Sequence, residues 1–264
     1  MAQITPFPSA PAPWKLRSES YLLMVRLPKT LPDGIYDPLE ASSEAFSDPA
    51  RSGKHRGGLG AILIVRYTET PVGPYDELMI VPGSYQVPGH GSKRRIARIY
   101  VNQKETTYNG RTNWNIPKHL ARFAFSAPAT KTGSKPPESL HVAVFPPSES
   151  ATESFFSVTL KPFRRFPAVP FSSRYLPVSI SLTQPPIPSG EADYLVGTDT
   201  WAEYGIGSST GRTRGAWVEV HPPADDQANR EATKWWPTSV KPVAFGVWME
   251  NVTVDIGEAT RWKP

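Results

Sequence analysis

Thirty prolines are spread through this chain of 264 residues, with nineteen glycines beside them. Proline fixes φ and removes a backbone donor, so a chain punctuated this densely cannot be built from long helices. Short extended segments joined by turns are what remains. The apolar runs agree. Residues 21–27, 59–67, 78–81, 96–102, 140–145, 155–160, 178–182, 216–220 and 243–256 are mostly short and rich in β-branched or aromatic side chains, and each reads as a strand.

Several of these alternate. Ile96, Arg98 and Tyr100 interleave with Ala97, Ile99 and Val101, while Val252, Val254 and Ile256 interleave with Thr253 and Asp255. Such strands are expected to have two unlike faces. Loops at 127–139, 146–154, 167–173, 184–191 and 222–229 are evenly spread, which predicts one domain over residues 1–264 rather than two joined by a linker. Helix-like pieces are short, at 38–46 and 117–122, where Pro117 suits a first helical position. So many antiparallel strands must hide their edges. The expected fold class is mainly β: a single-domain, antiparallel, closed or nearly closed β-barrel with an internal pocket and a few short helices. The mouth or interior of such a barrel is where a small molecule would bind.

Composition excludes several chemistries. Cysteine is absent, which removes disulfides, thiolate catalysis and cysteine-based zinc sites. The opening MAQITPFPSAPAPWKLR has no apolar core of signal-peptide length, and no later stretch approaches about 18 apolar residues. A cytoplasmic protein with no membrane partner is expected, and the Asn251-Val252-Thr253 glycosylation triplet is read as chance. Net charge is +5, densest at Lys93, Arg94 and Arg95. That cluster is read as a solvated loop, and without a groove-entering or base-stacking motif no nucleic-acid partner is expected. His55, His90, His119, His141 and His221 form no H-x-x-x-H pair, so no metal site is expected. The glycine-rich stretch from Gly205 to Gly211 lacks the Lys-Ser/Thr ending of a phosphate loop and is read as a flexible loop. No G-x-S-x-G elbow supports a serine hydrolase.

One stretch resists so plain an account. In GRTNWNIPKHLARFAF, residues 110–125, Lys118 follows a proline among Trp114, Ile116, Leu120 and Phe123. Spacing leaves two readings open: an exposed loop lysine, or a nucleophilic amine kept neutral by its surroundings. A free lysine, with a pKa of about 10.4, is protonated at neutral pH and cannot attack a carbonyl. Desolvation or a neighbouring cation favours the neutral form. Trp114, Ile116 and Leu120 could supply the first, and Arg111 or a protonated His119 the second.

Tyr100-Val101-Asn102-Gln103-Lys104, then Gly110-Arg111, then Pro117-Lys118-His119-Leu120 resembles the central region of the acetoacetate decarboxylase family. There a strand ending in Tyr-Leu-Asp-Asn-type residues leads to Gly-Arg and, after a short spacer, to Pro-Lys-x-Leu. The resemblance is strongest over residues 75–125. It implies that Lys118 forms a Schiff base with a ketone substrate, acetoacetate decarboxylase being a standard example of an amine activated by its environment. It also implies that Glu77, in Tyr75-Asp76-Glu77, is the matching active-site carboxylate and moves or positions a proton. Tyr75, Arg111, Trp114 and His119 become supporting or substrate-binding residues.

Two departures from the family pattern bear on the chemistry. His119 stands where the family commonly has a second lysine, so burial must do more to lower the Lys118 pKa. Arg17 and Arg26 lie where the family has an arginine for the substrate carboxylate, and neither aligns with it. The expectation is a cofactor-free lyase acting on a small-molecule keto substrate, first a β-keto acid decarboxylase, with homo-oligomerisation implied by resemblance alone. The alternatives are aldolase or dehydratase chemistry through the same lysine, or a non-catalytic barrel whose Trp114, Trp201, Trp217 and Trp248 hold a small ligand.

Overall fold

The computed structural model describes residues 7–175 and 180–264, so the first part of the strand expected at 178–182 lies outside the described residues. The chain opens with β1 (Trp14–Leu27) and three single-turn helices, α1 (Pro38–Ala41), α2 (Glu44–Ser47) and α3 (Pro49–Ser52). Strands β2 (Lys54–Glu69), β3 (Tyr75–Val81), β4 (Ser84–Val87), β5 (Gly91–Arg94) and β6 (Arg98–Val101) then lead to α4 (Lys104–Trp114). After it come β7 (Lys118–Leu120), β8 (Arg122–Phe125), β9 (Leu140–Phe145), β10 (Phe156–Pro162) and β11 (Val169–Ser172). The last part holds β12 (Ser181–Gln184), β13 (Trp201–Val220), α5 (Asp226–Trp235), β14 (Phe245–Ile256) and β15 (Thr260–Trp262). Strand exceeds helix by 44% to 14%, as the proline spacing predicts.

The main sheet runs β7-β6-β3-β2-β1-β14-β13-β10-β9-β8. Its two ends, β7 and β8, are consecutive in the chain and separated by Ala121 alone, whose N–H donates to Val101 O at 2.9 Å. The backbone thus carries the sheet from one edge to the other, giving a nearly closed barrel that leaves little edge to protect. Every pairing along this path is antiparallel except β6 with β7.

Two apolar cores lie on opposite faces. The larger draws Leu23, Ile64, Leu78, Tyr100, Val142 and Val158, among others, from around the circuit and fills what the barrel encloses. The second packs Val65, Tyr67, Tyr75, Ile99 and Val101 on the other face against Trp114 of α4 and Tyr204 of β13. Because successive strand residues alternate, the second face receives Lys118, opposite Ile99, while the barrel face receives His119, opposite Tyr100.

Several expectations are corrected. Residues 117–122 are not helical: β7 uses the free edge of β6, and that tertiary pairing outweighs the preference of proline for a helix start. Gly205 to Gly211 is not a loop but part of β13, paired with β12 or β11 on one side and β14 on the other. The last part of the loop expected at 222–229 is helical instead: Asp226–Trp235 forms α5, capped by the Asp225 side chain accepting from Ala228 N. In β6 both faces are buried, Arg98 included, so its alternation separates two cores rather than core from solvent. The basic cluster is no solvated loop either. Lys93 pairs with Glu203 at 2.8 Å, and Arg95 is fully buried over the Tyr85 ring. Of the four tryptophans named for ligand binding, Trp217 is exposed and the other three are buried. No helix among the described residues is long and apolar enough to cross a membrane.

Candidate active site

Lys118 is delivered by the way α4 stops. Asn115 adopts the left-handed conformation, with φ 56° and ψ 26°, and its N–H bonds Arg111 O at 3.0 Å while Ile116 N–H bonds Gly110 O at 3.2 Å. This closes the helix as a glycine would. The Asn115 side chain also donates to Pro185 O and Thr200 O, at 3.1 and 2.5 Å, which fixes the exit direction. Pro117 follows without a donor, and Lys118 enters β7.

Glu77 reaches the same place from the other side of β6. It lies opposite Val101, and Lys118 lies opposite Ile99, so both side chains leave the same face and flank one strand. Lys118 Nζ is 3.0 Å from Glu77 Oε2 with both residues buried. It also donates to Thr106 Oγ1 at 2.8 Å and Tyr75 OH at 3.4 Å, and lies 4.8 Å from the Tyr75 ring centre. Thr106 stands one helical turn before Gly110. A Cβ at Gly110 would come within 2.9 Å of Lys118 Cδ, so glycine there lets the lysine stem pass close to the helix. The second Glu77 oxygen accepts from Tyr67 OH at 3.3 Å. Tyr67 and Tyr75 face each other in the β2–β3 register, with ring centres 4.6 Å apart.

Electrostatics differ from the sequence expectation. Burial pulls the Lys118 pKa down, but the Glu77 carboxylate and then Tyr75 outweigh it, and the net direction is upward. The resting lysine is therefore an ammonium rather than a free amine. Burial, joined by Glu77, pushes the Tyr67 hydroxyl well above its ordinary range, and burial also raises Tyr75. Both phenols stay neutral, Tyr67 donating to Glu77 and Tyr75 accepting from Lys118.

His119 and Arg111 do not act as cations beside the ammonium. His119 Nε2 lies 2.7 Å from Glu40 Oε2, on the barrel face. Arg111, fully buried, pairs with Glu40 Oε1 at 3.0 Å and donates to the carbonyls of Val196, Pro188 and Lys118 itself. It holds the Lys118 backbone, not its amine. Burial opposes the Glu40 charge, yet His119 and Arg111 hold its pKa below the usual carboxylate range. The ligand atoms of Asp37, Glu40 and His119 lie within 4.8 Å of one another, a grouping that the histidine spacing alone did not reveal. Their charges are answered by Arg111 and, at 3.7 Å, Arg98, as in an ion-pair network.

Trp114 is structural: its Nε1–H bonds Gly257 O at 2.7 Å and its ring meets Trp14 edge-on at 5.1 Å. Arg17 is exposed and paired with Glu69, and Arg26 is exposed. Among the described residues, the side-chain partners of Lys118 are Glu77, Thr106 and Tyr75, not these arginines. A cleft of about 320 Å³ is lined by Arg66, Tyr67, Pro74, Tyr75, Asp76 and Asn102, among others, and so borders the two tyrosines that touch the pair. Chemically, the site can hold a proton between Lys118 and Glu77 while neutral hydroxyls surround them.

No family model matches the chain. A 66-residue segment is 35% identical to Protein NEOXANTHIN-DEFICIENT 1 of Oryza sativa subsp. japonica, covering 25% of this chain and 22% of that protein, and 33% identical to its namesake of Arabidopsis thaliana, covering 25% and 23%. Solved structures match over nearly the whole length. Acetoacetate decarboxylase superposes with a TM-score of 0.62 at 12% identity, covering 99% of this chain and 96% of that one. An acetoacetate decarboxylase-like enzyme from Sphingomonas wittichii RW1 gives 0.58 at 12% identity, covering 96% and 94%. MppR, an enduracididine biosynthesis enzyme complexed with the condensation product of pyruvate and imidazole 4-carboxaldehyde, gives 0.57 at 14% identity, covering 96% and 90%. The circuit of strands thus has the same fold as acetoacetate decarboxylase and MppR.

Proposed function

We propose that the protein is a cofactor-free enzyme in which Lys118 forms a Schiff base with a keto compound. The observation that carries this reading is the buried 3.0 Å contact between Lys118 Nζ and Glu77 Oε2. A buried ion pair contributes little net stability compared with apolar residues of the same volume, and titratable groups arranged this way concentrate at functional sites. Glu77 takes a proton from the ammonium, and the freed amine adds to the carbonyl carbon. Water then leaves to give the iminium. With a β-keto acid, the electrons of the breaking carbon–carbon bond flow into the iminium as carbon dioxide departs, and the enamine is protonated.

Decarboxylation is the first reading, supported by the resemblance of residues 75–125. Aldol or dehydration chemistry through the same iminium is the second, and two observations favour it. Arg17 and Arg26, the cations considered for a substrate carboxylate, lie exposed, Arg17 on Glu69, and a protein of the same fold holds a condensation product. Incubation with β-keto acids, following carbon dioxide, and with ketone–aldehyde pairs, following condensation, separates the two. Lys118→Arg keeps the charge but cannot form an imine, so it should abolish either activity. A ligand bound unchanged, with no turnover of any carbonyl compound, would favour a binding protein instead.

A further inference from the structure

A second cleft, of about 600 Å³, opens where β15 meets the turn between β4 and β5, and neither Lys118 nor Glu77 lines it. Its volume is that of a small-molecule site. Three flat rings form part of its lining. Trp201 and Trp262 are register partners with ring planes 4° apart and centres 5.9 Å apart, and His90 stacks on Trp262 at 4.2 Å. Trp201 is buried with Val87 in a small apolar cluster, Trp262 is half-buried against it, and His90 is exposed. Arg261 ties β15 down by donating to Asn115 Oδ1 at 3.1 Å and to the carbonyls of Thr112 and Asn113 at 2.7 and 2.9 Å. The aromatic wall is thus set before any ligand arrives.

The charge beside these rings has one sign. Arg51 and Lys263 line the cleft, both exposed, and no Asp or Glu side chain does. Arg51 pairs with Glu44 at 2.7 Å, an exposed contact of the kind that holds little energy. The fully buried Arg95 adds a third cation 5.5 Å from the Trp201 ring. We propose that this cleft binds a planar aromatic acid, its ring against the wall of Trp201 and Trp262 and its carboxylate toward Lys263 and Arg51. Flat rings reward a flat ring by stacking, and the cations reward the acid group. With Arg51 already shared by Glu44, the charge on offer suits a single carboxylate. The site is separate from the lysine chemistry and does not rest on that reading.

Isothermal titration of the full chain with 2-naphthoate tests this, with cyclohexanecarboxylate as the anion that lacks a flat ring. Naphthoate should bind at one site and cyclohexanecarboxylate at least about tenfold more weakly. The double variant Arg51→Gln/Lys263→Gln changes only exposed side chains and should weaken naphthoate by about 5- to 20-fold. Trp262→Leu should weaken it by about 10-fold or more. If circular dichroism shows that Trp262→Leu does not fold, the charge variant decides. Absence of saturable naphthoate binding, equal binding of the two anions, or an affinity unchanged in either folded variant overturns the inference. Naphthoate held beside Lys118 instead would give the last of these results.

Discussion

A lysine ammonium has three hydrogens, and at Lys118 three oxygens receive them, from Glu77, Thr106 and Tyr75. Burial alone would push the amine toward neutrality, and Glu77 reverses that direction. Removing the carboxylate while keeping its shape should therefore have two opposite effects. In Glu77→Gln the pKa of Lys118 falls, so acylation of Lys118 begins at lower pH than in the wild type, yet turnover drops by about two to four orders of magnitude because the proton acceptor is gone. Acylation followed by peptide mass against pH checks the first effect, and unchanged labelling would mean that Glu77 does not control the amine. Lys118 and Glu77 were legible through a short resemblance. Tyr67 was within reach of a hairpin register that sets it opposite Tyr75. Thr106 was not legible, because its place depends on a helix that the sequence pattern hides.

That helix, α4, shows why some elements escape a reading by periodicity. Its buried positions are Thr106, Thr107, Asn109, Gly110, Arg111 and Trp114, so its inward face is mostly small or polar and carries no apolar stripe. The long strands were only half legible for a related reason: the apolar half of β13, around Ala216 and Val218, stood out, while its glycine- and serine-rich half is ordered by ladders on both sides. At this scale the decisive residue is Asn115, which ends α4 and aims Lys118. Asn115→Ala places an ordinary side chain in the left-handed region and removes two donated hydrogen bonds, and it should cost about 2–4 kcal/mol. Asn115→Gly restores the backbone freedom and should recover part of that loss. Urea unfolding of the three proteins measures both, and an alanine variant as stable as the wild type would show that the turn does not depend on Asn115.

Across the whole molecule, the barrel closes where β7 and β8 meet at Ala121, and this seam carries Lys118 on one face and the Glu40 network on the other. The network gives stability a definite pH dependence. Glu40 titrates below its ordinary 4.5 in the folded protein, so the stability it contributes is full above that value and is lost as the pH falls through the lowered one. Glu40→Gln, which breaks a buried pair, should cost about 3–5 kcal/mol at pH 7, and the gap to the wild type should narrow below pH 4.5. Urea midpoints at pH 7 and in acid test this, and a gap independent of pH would contradict it. The fold as a whole holds the Lys118 amine against the Glu77 carboxyl group in a buried place. Borohydride reduction in the presence of a keto compound, followed by peptide mass analysis, tests the covalent role of Lys118. The Lys118 peptide should gain the mass of the reduced ketone adduct, and the same peptide of Lys118→Arg should gain nothing. Turnover of a keto compound with an unmodified Lys118 peptide, or full activity in Lys118→Arg, would contradict it.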